Sequence, residues 1–89
     1  MILKEVTIIN KLGLHARAAA KLVKCASRYG SEVHLKRNGQ QVNGKSIMGV
    51  MMLAASQGST LSLTISGDDE NEAFDAIEAL INNRFGEDE

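Results

Sequence analysis

Between Thr60 and Ser66 the chain alternates without a break: Leu61, Leu63 and Ile65 are apolar, and Thr60, Ser62, Thr64 and Ser66 between them are polar. A period of two with one wet side describes a strand whose sheet is covered on a single face. Val33 and Leu35 alternate in the same way with Glu32, His34 and Lys36, and Ile2, Val6 and Ile8 share one parity across residues 2–9 with only Lys4 intruding. Asn38-Gly39 tolerates positive φ at both positions, so it predicts a tight hairpin returning as a short strand over Gln40 to Val42. Strands that each keep a polar side predict a largely antiparallel sheet open to water on one face, with the helices collected on the other.

Three segments supply those helices. From Ala16 onward Ala19, Leu22, Val23 and Ala26 recur at helical spacing, and Gly30 is the expected left-handed C-terminal cap. Ser46 is placed to cap a short helix running through Ala55 and closing near Gln57-Gly58. Asp69 with Glu72 makes a variant of the capping box ahead of a stripe of Ala73, Phe74, Ile77, Leu80 and Ile81, predicting a last helix that ends near Gly86. The expected order is β-α-β-β-α-β-α, an α+β fold. Its 89 residues form one domain, 1–89, with an aliphatic core, because the chain has no Trp or Pro, two Phe and one Tyr.

Several classes of function are disfavoured by composition. Cys25 is the only cysteine, so no internal disulfide forms and a reducing compartment is implied. Lys4 and Glu5 interrupt the first residues too early for a signal peptide, and the longest apolar stretch, Ile47 to Ala55, is too short to span a bilayer. The expected location is cytoplasmic, without membrane insertion. His15, Cys25 and His34 match no common metal-ligand spacing, so no metal is expected. The net charge is −1, yet residues 1–67 hold nine Lys or Arg against two acids, and residues 68–89 hold one Arg against nine acids.

The chemistry centres on Gly13-Leu14-His15-Ala16-Arg17, where a strand-patterned segment gives way to the alanine-rich helix. His15 falls at or beside the N-cap. The first amides of a helix lack internal partners and the macrodipole is positive there, so an anion gains hydrogen bonds and a favourable field. Arg17 adds a guanidinium fork suited to phosphate oxygens. Histidine can also form covalent intermediates, which makes a phosphoryl group on the ring reasonable. Arg17, Lys21, Lys24 and Arg28 recur at i, i+4, i+7 and i+11, a basic stripe running away from His15 that suits rapid docking of acidic partners. The Ser46 segment leaves almost no polar side, so Ile47, Met48 and Met51 are expected to form an exposed apolar patch on which partners repack.

Asn10-Lys11-Leu12-Gly13-Leu14-His15-Ala16-Arg17-Ala18-Ala19 resembles the active-site segment of the HPr family, the histidine-containing phosphocarriers of the bacterial phosphoenolpyruvate-dependent phosphotransferase system. Lys45-Ser46-Ile47-Met48-Gly49-Val50-Met51-Met52-Leu53 resembles that family's regulatory-serine motif, and the likeness covers essentially the whole chain. It implies an open-faced β-sandwich of four strands and three helices. It also implies a carrier, not an independent enzyme, that needs no cofactor: His15 takes a phosphoryl group through Nδ1 from phospho-enzyme I and yields it to enzyme IIA domains, while Arg17 neutralises the phosphoryl oxygens. Ser46 would be the substrate of an HPr kinase/phosphorylase. The resemblance departs at Ala18, where the family has proline, and at Ser27, which is basic in some relatives.

Asn10-Lys11-Leu12-Gly13 and the acidic Phe85-Gly86-Glu87-Asp88-Glu89 also resemble the NPr carriers of the nitrogen-related branch, whereas the Ser46 motif favours a kinase-regulated carrier of the sugar branch. A rival from another class is a polyanion-binding module built on the basic stripe. Near-neutral total charge and the lack of stacking aromatics weigh against it, so no nucleic-acid partner is expected. A monomer is expected.

Overall fold

The computed structural model describes residues 1–89 and has the element order β1 (Ile2–Thr7), α1 (Ala16–Ala26), β2 (Glu32–Arg37), β3 (Gln40–Asn43), α2 (Ile47–Met52), β4 (Thr60–Ser66) and α3 (Glu70–Asn82), followed by a 3-10 turn at Arg84–Gly86. The four strands form one sheet in the order β1-β4-β2-β3, and every neighbouring pair is antiparallel. Register follows the hydrophobic parity: Leu63 of the central β4 lies opposite Leu35 of β2, and Ile65 lies opposite Val33. Leu61, Leu63, Ile65, Val33 and Leu35 are buried, and they pack with Leu22 of α1, Val50 of α2 and Ile77 and Ile81 of α3 in one hydrophobic cluster. The alternate residues Ser62, Thr64, His34 and Lys36 keep contact with solvent. The fold is therefore the open-faced α+β sandwich, with its helices on the covered side of the sheet.

Lys4 sits on the core-facing parity, opposite Leu63. Its stem carries the charge past the sheet margin to α3, where the ammonium lies 5.2 Å from the centre of the Phe74 ring and 3.1 Å from Glu78 Oε2. A lysine can occupy such a position because its apolar stem packs while its head stays wet.

The helix ends differ from the expectations at four points, one of them the end of α3, which stops at Asn82 and not near Gly86 because Arg84 and Phe85 both adopt a φ of 55°. Gly30 is not a left-handed cap: α1 stops at Ala26 with Ser27 as C-cap, and the Gly30 N–H donates to Asp69 Oδ2 at 2.9 Å. The second helix does not reach Ala55. It ends at Met52 because Ala54 adopts a positive φ of 50°, and because the Leu53 carbonyl accepts from Arg37 Nη1 at 3.0 Å and not from a following turn. Asp69 is the N-cap of α3, but its side chain makes no capping bond. Its carboxylate instead accepts from the Gly30 and Ser31 amides and the Ser31 hydroxyl. Glu70, not Glu72, reaches back, accepting from the Gly67 N–H at 3.3 Å. The hairpin is as expected, with φ of 52° at Asn38 and 83° at Gly39.

Candidate functional site

The loop between β1 and α1 is pressed onto the segment after α2, and this sets the position of His15. Gly13 has a φ of +69°, and a Cβ there would fall 2.5 Å from the Ala55 carbonyl oxygen. Only glycine accepts both the left-handed backbone and the close approach. The next residue, Leu14, is buried and donates its N–H to that same carbonyl at 2.9 Å. His15 follows directly as the N-cap of α1, with extended backbone and no side-chain bond to its own helix. The first intrahelical bond runs from the Ala19 N–H to the His15 carbonyl at 2.8 Å, so the amides of Ala16, Arg17 and Ala18 precede the ladder.

Freed from capping, the imidazole faces an open cleft of about 760 Å³ lined by Lys11, Leu12, His15, Ala16, Arg17, Glu87, Asp88 and Glu89. Three of those residues come from the far end of the sequence. Glu87 Oε2 contacts His15 Nε2, and the other oxygen of the same carboxylate accepts from Asn10 Nδ2 at 3.0 Å. Asn10 is fully buried, and its amide also donates to the Gly13 carbonyl at 2.8 Å. Lys11 fastens the segment a second time: its N–H donates to the Glu89 main-chain oxygen at 3.0 Å, and its ammonium lies 3.2 Å from Glu89 Oε2. The Asn10 amide first, and the His15 ring second, hold the Glu87 carboxyl below the usual carboxylate range.

Arg17 is exposed on the first turn of α1 and lines the same cleft as His15. Lys21, Lys24 and Arg28 are also exposed, although Arg28 stands in the turn beyond the C-cap, and the Lys21 ammonium donates to the Phe85 carbonyl at 2.6 Å. Cys25 faces the core, and burial pushes its thiol up, which makes it a packing residue and a poor nucleophile.

Ser46 is the N-cap of α2, and its hydroxyl oxygen accepts from the Gly49 N–H at 3.1 Å. Val50 anchors the helix in the core, while Ile47, Met48, Met51 and Met52 remain 44%, 76%, 43% and 63% exposed. Met52 thus joins the three apolar residues named from the sequence. No group of His, Cys, Asp and Glu side chains is arranged to hold a metal ion, and no helix is long and apolar enough to cross a membrane.

Asn10, Lys11 and Glu87 were not among the sequence-derived site residues. Asn10 reads as ordinary loop, and the acidic segment 85–89 reads only as a marker of one branch. The surplus of acid in residues 68–89, set against a basic remainder, was the one available hint that the two ends attract.

Residues 2–83 match the family model described as "PTS HPr component phosphorylation site". The chain is 62% identical over 89 residues to the phosphocarrier protein HPr of Cupriavidus necator, covering all of both chains. It is 59% identical over 86 residues to that of Pseudomonas aeruginosa, covering 96% of each. Among solved structures, HPr-C-His from Thermoanaerobacter tengcongensis superposes with a TM-score of 0.96 at 45% identity, covering both chains fully.

Proposed function

This chain belongs to the HPr family, the phosphocarriers of the phosphotransferase system, and on that footing we propose that His15 is its phosphoryl-bearing residue. In this reading the Nδ1 lone pair attacks the phosphorus of a phosphohistidine on enzyme I. The donor's N–P bond breaks with its electron pair left on the donor nitrogen, and a histidine of an enzyme IIA domain later takes the phosphoryl group from His15 in the same way. The observation that carries the proposal is the His15 side chain itself: an N-cap residue that makes no bond to its own helix and lines an open cleft with Arg17. The three leading amides of α1, its dipole and the Arg17 guanidinium offer stabilisation to the transferring oxygens, and positioning with electrostatics is what phosphoryl transfer chiefly requires.

Lys21, Lys24 and Arg28 form the steering surface for acidic partners, and Ile47, Met48 and Met51 form the apolar patch on which enzyme I and the IIA domains settle. Ser46 is the regulatory position, phosphorylated by an ATP-dependent kinase. In this reading the carrier works as a monomer in the cytoplasm.

The test mixes the protein with phosphoenolpyruvate and purified enzyme I of the sugar or nitrogen branch and follows acid-labile phosphate. Wild type becomes labelled, and His15→Ala does not. Labelling of the alanine variant at the wild-type rate overturns the assignment, and the enzyme I that labels faster identifies the branch.

A further inference from the structure

We propose that Glu87 is a positioning residue for His15, held in place by Asn10, and that it keeps the Nε2 proton on the ring so that the Nδ1 lone pair is the one presented to phosphorus. This rests on His15 being the phosphoryl-bearing residue. The geometry is a relay of three side chains drawn from both ends of the chain. Asn10 Nδ2 bridges the Gly13 carbonyl and Glu87 Oε1 at 2.8 and 3.0 Å, and Glu87 Oε2 contacts His15 Nε2. Asn10 is fully buried, and its two acceptors leave its amide one orientation, so the carboxylate is pinned from behind. Glu87 is itself largely sheltered, with its side chain 17% exposed.

A carboxylate has no proton to donate, so a neutral imidazole can meet it only with Nε2–H. The other ring nitrogen then carries the lone pair. When Nδ1 forms its bond to phosphorus and the donor nitrogen leaves with its electron pair, the Nε2 proton stays where it was and the ring acquires positive charge. A fixed anion at Nε2 stabilises that charge as it develops, the role a buried carboxylate plays for a histidine acting as base in hydrolases. Because the carboxylate contacts Nε2, the edge presenting Nδ1 is left for the phosphoryl group. Lys11 and Glu89 clasp the segment once more and limit the freedom that Glu87 would otherwise have.

The experiment compares wild type with Glu87→Ala, Glu87→Gln and His15→Ala by two readouts: phosphoryl uptake from phospho-enzyme I, and the 15N-coupled ring protons of His15 by NMR at a pH where the ring is neutral. Wild type is expected to show a protected Nε2–H resonance. Glu87→Ala should lose that resonance and transfer about ten- to a hundredfold more slowly, the scale of a misplaced reacting group, through kcat with KM little changed. Glu87→Gln retains an acceptor oxygen without the charge, so it should keep the resonance and fall between the two in rate.

A merely structural strap would affect KM or stability but not the ring proton. If Glu87→Ala keeps either the protected resonance or the wild-type rate, the positioning role is wrong. Labelled His15→Ala would instead overturn the proposed function, whereas unlabelled His15→Ala beside a wild-type Glu87→Ala leaves that function standing and removes only Glu87.

Discussion

Two helix N-termini on this molecule look alike in backbone and differ in what their capping side chain does. His15 and Ser46 both enter their helices in extended conformation, with φ of −72° and −114°. The Ser46 hydroxyl turns into its helix and accepts from Gly49, whereas the His15 ring turns away from α1 toward Glu87. A side chain spent on its own helix stabilises the fold; one released from that duty is available for chemistry. Substitutions should therefore separate the two sites cleanly. His15→Ala is expected to abolish acid-labile labelling, the largest effect on the molecule, with no capping bond lost from α1. Ser46→Ala should leave that labelling intact but lower stability by about 1 kcal/mol, the usual cost of removing an N-cap oxygen. Equilibrium denaturation and the labelling assay together test the contrast, which fails if Ser46→Ala costs nothing or His15→Ala still labels.

The second helix also differs from the first in what surrounds its start. At α1 the neighbours are Arg17 and Lys11, but beside Ser46 stand the exposed Ile47, Met48 and Met51. A phosphate on Ser46 adds roughly two negative charges. The α2 N-terminus tolerates them, so helix content changes little while the apolar patch becomes a poor match for an acidic partner. Ser46→Asp is expected to slow uptake from phospho-enzyme I about tenfold or more, because like charges across an interface are costly, and circular dichroism should show α2 retained. Undiminished uptake would remove the electrostatic account of regulation. A smaller effect is expected from Met48→Glu. It should weaken partner docking by about 1 kcal/mol or more, as loss of an interface anchor does, and shift folding stability by no more than about 0.5 kcal/mol, since Met48 is exposed. Titration against an isolated IIA domain measures the first, and thermal melting the second.

How legible all this was in the sequence depended on the range of the interaction. The sheet was readable because a period of two with one buried side is a local signal, and Leu61, Leu63 and Ile65 express it in consecutive pairs. The place of His15 was readable because strand pattern, Gly13 and an alanine-rich start lie within a few residues of one another. Helix ends were less readable. Where α2 stops is settled by an arginine on β2 that takes the Leu53 carbonyl, sixteen residues away. Asp69 resembled a capping-box residue by its neighbours alone, but Ser31 and Gly30, 38 and 39 residues distant, offered better donors. The contact of Glu87 with His15 spans 72 residues, so no window of local pattern contains it.

Asp69 extends the comparison to a third helix start and carries the smallest predicted effect. Like His15 it is an N-cap with no bond to its own helix, yet its carboxylate is fully engaged, tying the turn after α1 to the start of α3. The Ser31 hydroxyl first, and then the Gly30 amide, hold the Asp69 carboxyl below its ordinary value. A carboxyl more acidic in the folded state than in the unfolded chain adds stability at every pH above the unfolded value, about 3.9, and loses it as pH falls through the folded one. Asp69→Asn should therefore shallow the decline in stability on acidification below about pH 4, with a modest deficit at pH 7 where the wild-type carboxylate is ionised. Because no capping bond is lost, the helix content of α3 should stay unchanged. Denaturant midpoints at pH 7 and pH 3 for both proteins decide the matter: parallel acid profiles would mean that the Ser31 and Gly30 contacts do not distinguish the charged carboxylate from a neutral amide.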